Sequence, residues 1–203
     1  EPSYTIYASD IIPNDQYFDQ LWGMQDIQAP LAWETEQGSD EIIVGVIDSG
    51  IDYYHEDLVE NMWTNDEELN GVEGADDDGN GYIDDIYGYD FYHDDGDPYD
   101  YDGCGHSTHV SGTIAAAGNN NVGVVGVSWH TKVAALKFLE FNGSNCTGDG
   151  ANAVEAVLYA AMMGMDLTNN SWGGGGYLQS LKDAIEYSNI LFVAAAGNDW
   201  WDN

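Results

Sequence analysis

His106 and His109 stand three residues apart in the stretch DGCGHSTHVSGTIAA, with Cys104 two residues before the first and small residues between them. Histidine changes charge near neutral pH, so the pair suits either metal binding or acid–base work. For zinc the spacing is unfavourable: helical ligands of the His-Glu-x-x-His kind lie four apart with a glutamate inside, and here Ser107 and Thr108 intervene. Cys104 and Cys146 would supply thiolates, which keeps a zinc enzyme built on Cys104, His106 and His109 open. Two solvated histidines at a helix start are the plainest alternative. As a general base His106 is better served. The flexible Gly103-Cys104-Gly105 precedes it, and a carboxylate on a neighbouring strand end would fix its tautomer and stabilise its imidazolium. Asp48 is placed to be that carboxylate, although an aspartate after a strand is also a common turn former.

The elements that must position these groups follow from periodicity. Residues 41–48 (EIIVGVID) are a short β-branched apolar run ending in Asp-Ser-Gly, which predicts a buried parallel strand and a tight turn. Residues 131–139, 166–172 and 190–197 read as further strands. Residues 107–117, 151–165 and 178–188 have helical composition and spacing. The alternation predicts an α/β fold with a mostly parallel sheet covered by helices on both faces. Ligands of such sheets bind beyond the carboxyl ends of the strands. That rule gathers Asp48, the segment Asn170 to Gly173, and Gly197-Asn198 on one edge. Residues 61–102 lack apolar periodicity and are rich in Asp, Gly, Asn and Tyr, so they are expected to form a long loop ordered by a ligand.

The whole chain has 203 residues, enough for one domain, and 43% of them are hydrophobic, well above the range of disordered chains. It carries 37 acidic residues against three lysines (Lys132, Lys137, Lys182) and no arginine, a formal net charge of −34. Such a surface argues against nucleic acid and anionic membrane as partners, because both need Lys or Arg to neutralise phosphate. It predicts cations as partners and a salty or calcium-rich extracellular medium. No run of eighteen apolar residues is present, and residues 1–10 lack the order of a signal peptide. Cys104 and Cys146 pair if the protein is secreted, or stay as two thiols if it is not.

Four stretches then stand in register: Val46-Ile47-Asp48-Ser49-Gly50-Ile51-Asp52, His106-Ser107-Thr108-His109-Val110-Ser111-Gly112-Thr113, Asn170-Ser171-Trp172-Gly173-Gly174, and Ala194-Ala195-Ala196-Gly197-Asn198. Together they resemble the successive signatures of the subtilisin-like serine proteases over residues 13–203. The resemblance implies the three-layer fold of that family and a secreted endopeptidase acting on protein or peptide substrates through an Asp/His/Ser triad. Asp48 would orient His106, His106 would be the general base and acid, and His109 would pack structurally. Asn198 would donate to the oxyanion. Ser171, Trp172 and Gly173 would form one edge of the substrate groove, with Gly143, Ser144 and Asn145 as the opposite rail.

Ser107 and Ser111 replace the family's usual glycine and alanine, and their small size predicts tolerance. The family's Gly-Thr-Ser nucleophile motif is absent from the 203 residues. The expectation is therefore a proteolytically inert piece of a precursor, lacking the carboxyl-terminal part of the fold. Residues 1–12 would be the tail of an inhibitory propeptide, a further partner, or a linker, and 13–203 a partial catalytic domain. A catalytically dead, calcium-binding module of the same fold is the second reading.

Calcium is the predicted cofactor. Asp76, Asp78, Asn80 and Tyr82 follow the first half of an EF-hand loop, with closure through Asp84 or Asp85 because the twelfth position is Tyr87. A solvated acidic loop is the alternative. The resemblance implies two further sites, one with Asp15, Asp57 and Asn120, the other with Asp90, Asp95 and Asp97.

Overall fold

The computed structural model describes residues 10–101 and 103–198. The reading of residues 1–9 as propeptide falls outside them. In chain order the elements are α1 (Trp22–Asp26), α2 (Ala29–Ala32), β1 (Ile43–Asp48), α3 (Asp66–Leu69), β2 (Gly88–Asp90), α4 (His106–Ala115), β3 (Lys132–Lys137), β4 (Leu139–Phe141), β5 (Cys146–Gly148), α5 (Gly150–Met162), β6 (Leu167–Asn170), α6 (Gln179–Ser188) and β7 (Leu191–Ala194).

Five strands form one sheet in the order β2-β3-β1-β6-β7, and every pairing in it is parallel. The alternation of side chains along each strand sorts them onto two faces. Val44 and Val46 of β1, with Val133 and Ala135 of β3, meet Ile51, Leu58, Met62 and Ala115, the last at the end of α4. Ile47, Ala134 and Leu136 turn the other way, onto Ala153, Ala156, Val157 and Ala160 of α5 and Ala184 of α6. Burial on both faces is why these strands are continuously apolar. A smaller cluster joins Phe18, Met24, Ala29 and Trp33 to Val125 and Trp129. The α/β architecture with helices on both faces is as expected, and the strands are shorter than their predicted runs by two to four residues.

The insert, expected as a long loop ordered by a ligand, also carries regular elements. It contributes α3 and the edge strand β2, which pairs Gly88↔Ala135, Tyr89↔Leu136 and Asp90↔Lys137. Three residues are too few to show a period in sequence. What forms the strand is an already buried neighbour offering free ladder groups, together with Tyr82, Tyr89, Phe91 and Tyr159 packed edge to face at centroid separations of 4.7–6.0 Å. Gly88 is required there: its φ is +120°, and a Cβ would collide with the carbonyl of Ala135.

Candidate active site

Asp48 ends β1 and is completely buried, while His106 opens α4. The turn into α4 is made by Gly105 at φ +61°, a left-handed position that glycine takes readily. Both carboxylate oxygens of Asp48 lie 2.9 Å from His106 Nδ1, and the Ser49 amide donates to Oδ1 at 2.8 Å. Burial pushes the Asp48 carboxyl up, the His106 hydrogen bond and charge pull it back, and the net shift is upward. With Nδ1 committed to the carboxylate, Nε2 is the ring nitrogen free to take a proton from a nucleophile. The imidazole is half exposed, as a group meeting a substrate must be.

The other strand ends arrive at the same edge because the strands are parallel and in register: Val46 lies opposite Asn169, and Asn170 opposite Ala194. Asn170 Nδ2 donates to Thr168 Oγ1 at 3.0 Å and to the Val193 carbonyl at 3.2 Å, tying β6 to β7. Ser171 and Trp172 follow, with Trp172 edge-on to Phe138 at 4.9 Å. Cβ atoms added at Gly173 to Gly176 would meet nothing within 4 Å, so this segment presents bare backbone to open space. Gly143, Ser144 and Asn145 form the exposed tip of the β4–β5 hairpin. There the Asn142 Oδ1 accepts from the Ser144 and Asn145 amides at 3.2 and 3.1 Å. Those two donors are thereby occupied, and the Asn145 carbonyl in turn accepts from the Asn142 amide at 3.0 Å, closing the turn of the hairpin. Asn198 follows β7 after Gly197, whose φ is +83°, and is exposed.

Cys104 and Cys146 form a disulfide with Cα atoms 5.9 Å apart. It ties the loop before His106 to β5 of the hairpin. This corrects the zinc alternative, since both thiolates are consumed and Nδ1 of His106 faces Asp48. His109 is exposed on α4 rather than packed, two residues from each of buried Ser107 and Ser111 and so on the opposite side of the helix. Ser107 and Ser111 are both fully buried, consistent with the requirement for small residues there.

Sequence reasoning missed two charged groups. Lys137, opposite Asp48 in the β1–β3 register, is buried, with Nζ 2.7 Å from Glu140 and 3.3 Å from Asp90. Burial alone would lower its pKa, but the two carboxylates outweigh it and the net shift is upward. Nothing in an isolated lysine code signals this; only strand pairing does. Asp100 is buried and touches both the end of β1 and the start of α4.

Of the predicted calcium ligands, Asp76 and Asp78 converge with Glu68, their oxygens all within 4.8 Å of one another. Glu68 also accepts amide hydrogens from Asp77, Asp78 and Asp84. Asn80 turns its Nδ2 to Asp78 and Asp85. Tyr82 donates its amide to the Asn80 Oδ1 and stacks its ring in the core. Asp84 is turned away onto the Gly74 amide. Asp85 is fully buried and held by Asn65, Asn80 and the Tyr159 hydroxyl at 2.6–2.9 Å. Asp15, Asp57 and Asn120 are brought together: Asn120 donates to Asp57 Oδ1 at 2.8 Å, and the Asn119 amide to Asp15 Oδ2 at 2.8 Å. Asp90, Asp95 and Asp97 do not converge in the same way. Asp90 is engaged by His93 and Lys137, Asp95 caps the Asp97 amide, and Asp97 accepts from the Tyr53 and Tyr101 hydroxyls. A depression of 460 Å³ on the insert is lined by Glu68, Glu73, Asp84, Asp95 and Asp97, away from the Asp48–His106 pair.

Comparison with known proteins agrees with this geometry. Residues 39–203 match the model of the subtilase family. Subtilisin-like protease 1 of Plasmodium berghei is 39% identical over 190 residues, covering 91% of this chain and 31% of that protein. The halolysin-like extracellular serine protease Nep of Natrialba magadii is 36% identical over 197 residues, covering 95% and 32%. A protease structure from Pseudoalteromonas arctica superposes with a TM-score of 0.66 at 28% identity over 92% of this chain and 59% of that one. The chain thus spans about a third of the length of these two relatives. A parallel sheet with an aspartate ending its central strand, a histidine opening the next helix, and a family model in register with both make this chain a member of the subtilase family of serine proteases.

Proposed function

We propose that this chain carries the base half of a secreted, calcium-stabilised subtilisin-like endopeptidase. The observation that carries the reading is the contact of buried Asp48 with both carboxylate oxygens on His106 Nδ1 at 2.9 Å. In the reaction His106 Nε2 removes the proton of a serine hydroxyl as it attacks the scissile carbonyl. The proton then passes to the leaving amine, and Asp48 stabilises the imidazolium between the two steps. Asn198, which follows β7, would donate its side-chain amide to the oxyanion. The substrate is an extended peptide laid between the hairpin tip at Gly143 to Asn145 and the Ser171–Trp172–Gly173 edge. The serine would come from a segment bearing the family's Gly-Thr-Ser motif. Secretion is supported by the disulfide, by the acidic composition, and by the extracellular relative. A propeptide ending near Pro13 would act as its inhibitor.

The test is to express the open reading frame that encodes this chain in full and treat it with a fluorophosphonate. Labelling that disappears in His106→Ala supports the reading; no labelling of the folded protein overturns it and favours a catalytically dead calcium-binding relative.

Calcium fits two places. Glu68, Asp76 and Asp78 present hard oxygen donors at a separation one cation can bridge. Asp15 and Asp57 are buried at 5% and 2% exposure with no cationic side chain beside them among the described residues, so a cation would relieve their repulsion. Calcium there would fasten the insert and the segment around Asn120. Dialysis against a chelator is expected to lower the thermal midpoint by about 5–10 °C for each site emptied, given ~2.7 kcal/mol for a ligand at one hundred times its Kd. Calorimetry with and without calcium checks this, and a midpoint indifferent to calcium defeats it.

A further inference from the structure

We propose that Asp100 is the positioning residue of this site, holding the backbone of His106 while Asp48 holds its ring. The Asp100 carboxylate is 8% exposed and has partners on two elements. Oδ1 accepts from Ser49 Oγ at 3.2 Å, next to Asp48 at the end of β1, and from the Gly105 amide at 3.2 Å. Oδ2 accepts from the Thr108 amide at 3.2 Å and from Thr108 Oγ1 at 2.8 Å. Gly105 and Thr108 bracket His106 in the first turn of α4, where backbone amides have no carbonyl of their own helix to bond. Gly105 has no side chain to cap that turn. A carboxylate reaching in from outside the helix therefore takes the place of the missing cap.

The strap continues on both sides. Ser49 Oγ accepts from the Ser107 amide at 3.2 Å, and Thr108 Oγ1 accepts from the Asp52 amide at 3.0 Å. Every residue from Gly105 to Thr108 is thus joined to the β1 turn, either directly or through Asp100, and His106 itself is joined through Nδ1. A helix opening on a left-handed glycine has no rigid backbone lead-in of its own. Without Asp100 the first turn would keep only its bonds to Ser49 and Asp52 and lose its hold at the Gly105 and Thr108 amides, and the Nδ1 contact, made by a half-exposed ring, would loosen with it. The disulfide at Cys104 limits the loop but does not reach the Gly105 and Thr108 amides that Asp100 holds.

Role and mere stability separate in one experiment. Among the described residues two imidazole Nδ1 atoms contact buried carboxylates, His106 to Asp48 and His93 to Asp90 at 2.8 Å. Each should give a far-downfield proton resonance, assigned by its loss in His106→Gln or His93→Gln. In Asp100→Asn, solvent exchange of the His106 proton is expected to quicken about tenfold, the loosening of one charge-assisted hydrogen bond, while the His93 proton stays as in the parent. An Asp100→Asn chain with a native amide spectrum and an unchanged His106 resonance overturns the proposal. If that variant does not fold, Thr108→Val decides: it keeps the volume and the amide contact but removes the 2.8 Å bond to Asp100 along with the acceptor of the Asp52 amide, and an unchanged His106 resonance there overturns it equally. The inference rests on His106 being the base. The resonance needs no turnover, so its failure removes the role of Asp100 alone, whereas failed phosphonate labelling removes the protease reading alone.

Discussion

Replacing Asp48 with asparagine is expected to cut turnover of the complete protease about 3 × 10⁴-fold while leaving the fold at neutral pH as stable as the parent or more so. The rate figure is the one attached to the corresponding aspartate of subtilisin, a member of this family, and is carried over rather than calculated from this structure. The stability half follows from the site itself. Asp48 is fully buried, and burial raises its carboxyl above the ordinary value of 3.8 despite His106 and the Ser49 amide. The folded chain therefore binds this proton more tightly than the unfolded chain. Its contribution is complete below pH 3.8 and is lost as pH rises through the higher folded value. At pH 7 the ionised group opposes folding. Asparagine keeps an acceptor for Nδ1 without that charge, but it cannot hold the tautomer or stabilise the imidazolium. Denaturant midpoints at pH 7 and pH 3, set beside kcat, check both halves. A variant destabilised at pH 7 by more than it is at pH 3 would show that the charge supports the fold.

Lys137→Met should be the most damaging substitution for stability, at about 3–5 kcal/mol, or roughly 10 °C in the thermal midpoint. Methionine matches the stem of lysine in volume, so packing is kept and the charge is what disappears. It leaves Asp90, 1% exposed, beside a half-exposed His93 as its remaining cationic partner. It also breaks the 2.7 Å bond to Glu140 at the start of the hairpin rail. Adding Asp90→Asn to the same chain should recover most of the loss, because the unpaired buried charge is then gone. Failure of that double variant to recover would place the damage in packing. The pair has a pH signature as well. Burial would raise Glu140, but Lys137 outweighs it and the carboxyl is held below its ordinary value of 4.5. The stabilisation is present above pH 4.5 and fades as pH falls through the lower folded value.

The Asp48–His106 pair was legible because its residues sit at places where sequence is informative: Asp48 at the end of a β-branched run, His106 at a helix start among small residues. Local periodicity also determined the parallel sheet, its two helical layers, and the strand ends that carry Asn170 and Asn198. The acidic loop was legible as composition. Its geometry was not, since Glu68 joins Asp76 and Asp78 from eight and ten residues away through the fold of α3, and Asp84 and Asp85 turn elsewhere. Three features were decided by tertiary structure alone. Strand β2 exists because β3 offers it a ladder; Lys137 is buried because β2 and the hairpin close over it; and Asp100 reaches the turn around His106 because Ile51 and Gly50 pack under the Pro98–Tyr99 backbone. Each depends on a pairing between segments dozens of residues apart, Gly88 with Ala135, Asp90 with Lys137, or Ile51 with Pro98, and a pattern read along one chain encodes which face a residue presents but not which distant segment will meet it.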